Sequence, residues 1–172
     1  MTNAPETHYT RSADGTNLAY QVSGEGPHDL VFDNSTGLPI DLLSEDPGCV
    51  RFRKRLEKFS RIVCFDARGW GASEGDSWDF PRGEICDADL TAILDAVGFE
   101  RPVLVAEGAS GGAAIHFSAT HAERVSALVL FNSYACYMRQ ENYPWGLPAE
   151  SLDRLVTATK ESWGTSAASA CR

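Results

Sequence analysis

Short apolar runs alternate with helical stretches along this chain, and that alternation constrains the fold more than any other feature. Arg61–Phe65, Val103–Ala106 and Val125–Phe131 read as strands of the kind that are buried on both faces. Between and around them lie segments of helical period. Pro47–Phe59 sets Val50, Phe52, Leu56 and Phe59 on one face. Glu84–Val97 turns Ile85, Leu90, Ile93, Leu94 and Val97 inward and stops at Gly98. Ser110–His121 and Ala149–Ser162 complete the helices. Ahead of this series, His8–Ser12 and Asn17–Val22 flank Asp14-Gly15 as a hairpin, and Asp29–Phe32 adds a short strand. The pattern requires an α/β domain with a mainly parallel sheet and helices on both faces. In such sheets, ligands bind beyond the carboxyl ends of the strands.

With 172 residues and 43% hydrophobic content, the chain can bury one substantial core. Its net charge of −9 repels polyanions, so neither nucleic acid nor an anionic membrane is an expected partner. No apolar run approaches the roughly eighteen residues of a membrane span. The polar start Met1–Thr7 carries no secretory signal, and the five cysteines are scattered with no C-x-x-C pair. Reduced thiols, a cytoplasmic location, no metal cluster and no cofactor are the expectations. The small, polar stretch Thr165–Arg172 is expected to fray.

After the strand Arg61–Phe65 comes Asp66-Ala67-Arg68-Gly69-Trp70-Gly71-Ala72-Ser73. Its glycines allow a tight turn, and Asp66 and Arg68 can lock it through charge-assisted hydrogen bonds. This stretch resembles the D-x-R-G-x-G-x-S loop of the α/β-hydrolases. Leu94–Pro102 resembles the entry to the nucleophile elbow of that family. Thr120–Leu130 resembles its exit, with Ala122 where most members carry Pro. The similarity covers Thr7 to Pro148. More narrowly, Phe131–Ala135 and Tyr143–Pro148 resemble actinobacterial hydrolase-like domains fused to a class III adenylate cyclase. The resemblance implies an α/β-hydrolase fold truncated after the sixth strand. Residues 1–148 would form the hydrolase-like core, and residues 149–172 a partial cap helix with a frayed terminus.

Gly108-Ala109-Ser110-Gly111-Gly112 matches G-x-S-x-G, the elbow pattern of serine hydrolases. Two positions compete for its apex. Counted from the strand Val103-Leu104-Val105, the apex is Gly108, flanked by the small residues Ala106 and Ser110. Fourteen residues back from Ala122, the family's spacing, is again Gly108. Ser110 would serve as nucleophile only if the strand were two residues longer and the helix two shorter. With Gly108 at the apex, Ser110 has a structural role as a small residue able to bond a free N–H at the helix start.

The resemblance places an oxyanion loop after Phe32, in Asp33-Asn34-Ser35-Thr36-Gly37. A carboxylate at Asp33 would oppose an oxyanion if it faced inward; facing outward, it is a turn residue. A triad also needs a base and an acid. None of His8, His28, His116 and His121 stands where the resemblance puts the base. The pocket residues are therefore Ala106, Glu107, Gly108, Ala109, Asn34 and Ser35, with Glu107 either facing the pocket or solvated. Three functions stay open: a non-catalytic, pseudoenzyme-like domain that binds a small apolar or ester-like ligand or regulates a cyclase-type relative; a carboxylic-ester hydrolase using Ser110; and a fragment with no function of its own. Val125–Phe131, left at the sheet edge, leads to an expectation of self-association.

Overall fold

The computed structural model of the protein describes residues 4–33, 38–75 and 83–162. Asn34 and Ser35, two of the sequence-derived pocket residues, lie outside these, as does the stretch Thr165–Arg172. The chain divides into two units, Met1–Tyr134 and Ala135–Arg172.

The first unit is built on a six-stranded sheet. Its strands are β1 (Thr7–Arg11), β2 (Asn17–Ser23), β3 (His28–Asp33), β4 (Ser60–Phe65), β5 (Val103–Glu107) and β6 (Ala127–Phe131). They lie in the order β1-β2-β4-β3-β5-β6. The hairpin β1–β2 is antiparallel, and β2 joins β4 antiparallel. The rest of the sheet, β4-β3-β5-β6, is parallel.

Three helices flank the sheet: α1 (Pro47–Leu56), α2 (Gly83–Val97) and α3 (Gly111–Thr120). Side chains alternate along the strands, so two separate apolar clusters form. On the α2 and α3 face, Val31, Val63, Phe65 and Leu104 pack with Ile93, Leu94 and Phe117. On the α1 face, Leu30, Ile62 and Cys64 pack with Ile40 and Leu43.

The two faces are covered unequally. The α2 helix buries Leu90, Ile93 and Leu94. The α1 helix buries no residue fully, and Phe52 of its expected inner face remains 47% exposed. The single apolar face read for Pro47–Phe59 is thus corrected in part: Phe52 and Phe59 stay half exposed, while Leu56 packs against the sheet cluster. A second correction concerns α2, where Ile85 is 41% exposed while Asp87 and Asp89 are buried. Ile85 sits in the first turn, and the two aspartates are held inward by partners. Asp89 accepts from Arg68 at 2.6 Å, and Asp87 from Thr120 at 3.1 Å.

The loop after β4 is locked as its sequence predicts. Asp66 is 1% exposed and accepts from the backbone N–H groups of Ile40 and Ala72, both at 2.9 Å. Burial pushes its carboxyl above the usual range, against the pull of those two donors. A Cβ on Gly71, whose φ is +53°, would collide with this carboxylate, so only glycine fits there. Arg68 bridges Asp14, Thr16 and Asp89, which ties the β1–β2 hairpin to α2.

The last strand begins at Ala127, not at Val125. A single turn at Ala122–Arg124 precedes it, and Ser126 N–H donates to the carbonyl of Pro102 just ahead of β5. At the sheet edge, Val129, Leu130 and Phe131 are 46%, 45% and 62% exposed. The second unit contains isolated bridges Met138–Leu147 and Gln140–Tyr143, followed by α4 (Ala149–Ser162), which buries no residue.

Candidate functional site

The turn from β5 into α3 is the site that the sequence motif marks. β5 ends at Glu107, and a single 3-10 turn, Gly108–Ser110, carries the chain into α3 at Gly111. Gly108 has φ of +60°, the left-handed region that L side chains rarely adopt. Ser110 has φ of −62° and ψ of −20°, ordinary helical backbone, and is 4% exposed. The backbone strain of this turn therefore sits at Gly108. Ala106 is fully buried, so small residues stand two before and two after that point.

Ser110 occupies the residue before α3, but its side chain makes no capping hydrogen bond. The capping role expected from sequence is corrected. The helical turn already starts at Gly108, so Ser110 has helical rather than the extended backbone of a capping residue.

Ser133, just beyond β6, braces the turn. Its hydroxyl lies 3.0 Å from the carbonyl oxygen of Gly108 and 3.2 Å from that of Ala106. Asn132 beside it has φ of +47°, and a Cβ on Gly111 would stand 2.6 Å from the Ser133 hydroxyl. The close approach of β6 and α3 thus requires glycine at position 111. Sequence reasoning gave Ser133 no role. The cue was a small polar pair, Asn132-Ser133, at the end of an apolar strand.

The remaining candidates are spread over the unit. Asp33 ends β3, opposite Ala106 of β5. Glu107, opposite Phe131, lines a groove on the α1 face. His8 stacks near Tyr20 with ring centroids 5.7 Å apart, and His28 lines the far end of the same groove. His116 and His121 both turn to Asp87, at 3.1 and 3.5 Å. Two histidines on one buried carboxylate tie α3 to α2.

The groove on the α1 face has a volume of ≈ 830 Å³. Its floor is Phe32, Val105, Val129 and Phe131, and Phe52 and Leu56 of α1 form one wall. Cys49 and Cys64 also face it. Burial pushes the Cys64 thiol up to about 12, and it raises Cys49 too, where the neighbouring Asp46 adds to the effect. Both are therefore thiols, and poor nucleophiles, at neutral pH. Among the described residues, no group of three or more His, Cys, Asp or Glu could hold a metal ion.

Sheet order, the locked loop after β4 and the left-handed turn after β5 define the class: this is an α/β-hydrolase fold. No family model matches the chain. It is similar to a 2-hydroxy-6-oxononadienedioate/2-hydroxy-6-oxononatrienedioate hydrolase of Paraburkholderia phymatum. The two are 27% identical over 136 residues, which is 75% of this chain and 45% of the relative. It is also similar to an epoxide hydrolase 3 of Xenopus tropicalis, 30% identical over 73% of this chain and 33% of the relative. An esterase from Exiguobacterium antarcticum superposes with a TM-score of 0.71 at 20% identity, covering 91% of this chain and 56% of the esterase. A bromoperoxidase from Bacillus anthracis gives 0.72 at 17% identity, covering 90% and 55%. The relatives and structural neighbours together support the α/β-hydrolase superfamily. The chain spans about half the length of the curated relatives it matches, 45% for the first. No helix among the described residues is long and apolar enough to cross a membrane.

Proposed function

We propose that this chain is a hydrolase-fold domain without hydrolase chemistry, which binds a small neutral ligand above the β5–α3 turn. The observation that carries this reading is the identity of the residue at the left-handed position. Gly108 has φ of +60° and no side chain, so the atom that would attack an ester is missing there. Ser110 is two residues further on, 4% exposed and in helical backbone. Asp33 and Glu107 stand at the carboxyl ends of the strands flanking this turn. With a net charge of −9, they disfavour a dianion such as the first relative's name describes. An apolar or ester-like neutral ligand meets no such penalty. A regulatory role beside another domain is the same reading with the ligand as signal.

A second reading uses Ser110 as an esterase nucleophile. It draws on the G-x-S-x-G spacing and on the esterase among the structural neighbours. A fluorophosphonate probe separates the two, because it marks only an activated serine. The expected outcome is an unchanged intact mass. A phosphonyl adduct on Ser110 would overturn the proposal in favour of the esterase.

A further inference from the structure

The positive charge of this acidic chain is concentrated at one helix. Six of its fifteen lysines and arginines lie between Arg51 and Arg61, in α1, the turn after it and the start of β4. Two of the six are matched by carboxylates: Arg53 lies 3.3 Å from Glu57, and Arg61 lies 3.0 Å from Asp29. The other four, Arg51, Lys54, Arg55 and Lys58, are exposed and form no ion pair among the described residues. Arg51 is in electrostatic reach of Asp46, but that carboxylate caps the helix and accepts from the N–H of Cys49 at 2.7 Å.

These four cations recur at i, i+3, i+4 and i+7, the spacing of one helix face. Helical backbone continues through Glu57, whose N–H donates to the carbonyl of Arg53, so Lys58 extends the same stripe. The stripe is about 10 Å long at 1.5 Å of rise per residue. All neighbours along it have the same sign, and like charges at these spacings destabilise a helix. The macrodipole accounts for Lys54 and Arg55 in the last turn, but Arg51 lies before that turn and Lys58 beyond the helix end. Folding alone therefore does not explain the stripe, which is a property of one helix and its sequence and independent of the groove beside it.

We propose that this stripe docks an acidic segment of a partner protein, whose carboxylates align with Arg51, Lys54, Arg55 and Lys58. Charge complementarity selects the occupant, and the acidity of the remaining surface limits its size. Glu45 and Asp46 are exposed at the other end of α1, roughly 8 Å from the stripe at the same rise per residue. The rest of the chain outweighs the stripe to a total of −9. Charges in physiological salt act over about 8 Å. A short acidic segment confined to the stripe stays clear of that repulsion. A bilayer or a nucleic-acid duplex, anionic over a much longer span, meets it. An interface of this kind gains speed of encounter and choice of partner from its charges more than it gains affinity.

Fluorescence anisotropy with the full chain and a labelled helical peptide carrying glutamates at i, i+3, i+4 and i+7 tests this. The expected result is saturable binding that weakens at least about tenfold as salt rises from ~0.05 to ~0.3 M. Lys54→Glu/Arg55→Glu weakens binding at least about tenfold as well. Arg154→Glu/Lys160→Glu makes an equal change of net charge at exposed positions of α4 and weakens it less than about threefold. Circular dichroism checks that each variant is folded. Should Lys54→Glu/Arg55→Glu fail to fold, Lys58→Glu, in the turn after the helix, decides in its place. A wild-type chain that shows no saturable binding at low salt overturns the proposal. So does an equal loss in the two double variants, since overall charge would then set the affinity. Tighter binding to phosphatidylserine vesicles or to duplex DNA, lost in Lys54→Glu/Arg55→Glu, overturns it in favour of a lipid or nucleic-acid partner.

Discussion

Replacing Gly108 by alanine puts a Cβ on the one residue of the β5–α3 turn with left-handed backbone, φ +60°. An L residue pays roughly 1–2 kcal/mol for that conformation. For a chain of 172 residues, unfolding entropy near the midpoint converts this into a fall in melting temperature of about 3–6 °C. Gly98 calibrates the backbone part of the effect. Its φ is +70° and an added Cβ meets nothing within 4 Å, so Gly98→Ala carries the conformational cost without a clash. Differential scanning calorimetry on both variants makes the comparison. Gly108→Ala should lose at least as much as Gly98→Ala. If Gly108→Ala melts with the wild type while Gly98→Ala loses about 1 kcal/mol, the turn does not depend on a left-handed residue at 108, and the assignment of its apex fails.

Two further perturbations test the frame around the site. Arg68→Ala removes a guanidinium that is 2.6 Å from the buried Asp89, and an uncompensated buried carboxylate costs about 3 kcal/mol. Urea denaturation should show that loss, with part of it restored in Arg68→Ala/Asp89→Asn; a loss below about 1 kcal/mol would contradict the clamp. The Cys64 thiol is pushed up to about 12 from 9.0, so folding favours its neutral form. Its stabilising contribution is complete below pH 9 and is lost as pH rises through about 12. Stability should therefore fall over that window, by up to about 1.4 kcal/mol per pH unit, and the slope should flatten in Cys64→Ala. At pH values near neutral, iodoacetamide should leave Cys64 unlabelled until the protein unfolds; rapid labelling of the folded chain would contradict its burial.

The order of elements was legible because strands with apolar side chains on both faces and amphipathic helices differ in period, and because Gly98 and Asp14-Gly15 mark ends and turns. Counting from Val103 and back from Ala122 also located the left-handed position, since glycine there fits a backbone that other residues resist. What stayed hidden depends on partners far away in sequence. Asp87 and Asp89 look like solvent-facing residues of α2 until His116, Thr120 and Arg68 are brought to them. Ser133 acquires its role only when β6 lies beside β5. The groove is illegible for the same reason: its lining joins Phe52 and Leu56 of α1 to Val105 and Val129 of strands far apart in sequence.

Ester hydrolysis by the purified chain tests the central claim most directly. Release of p-nitrophenol from short-chain acyl esters is followed for the wild-type protein and for Ser110→Ala. With a glycine at the left-handed apex and Ser110 held in the helix start, both should match the buffer rate. Turnover by the wild type that disappears in Ser110→Ala would contradict the account and make this chain an esterase.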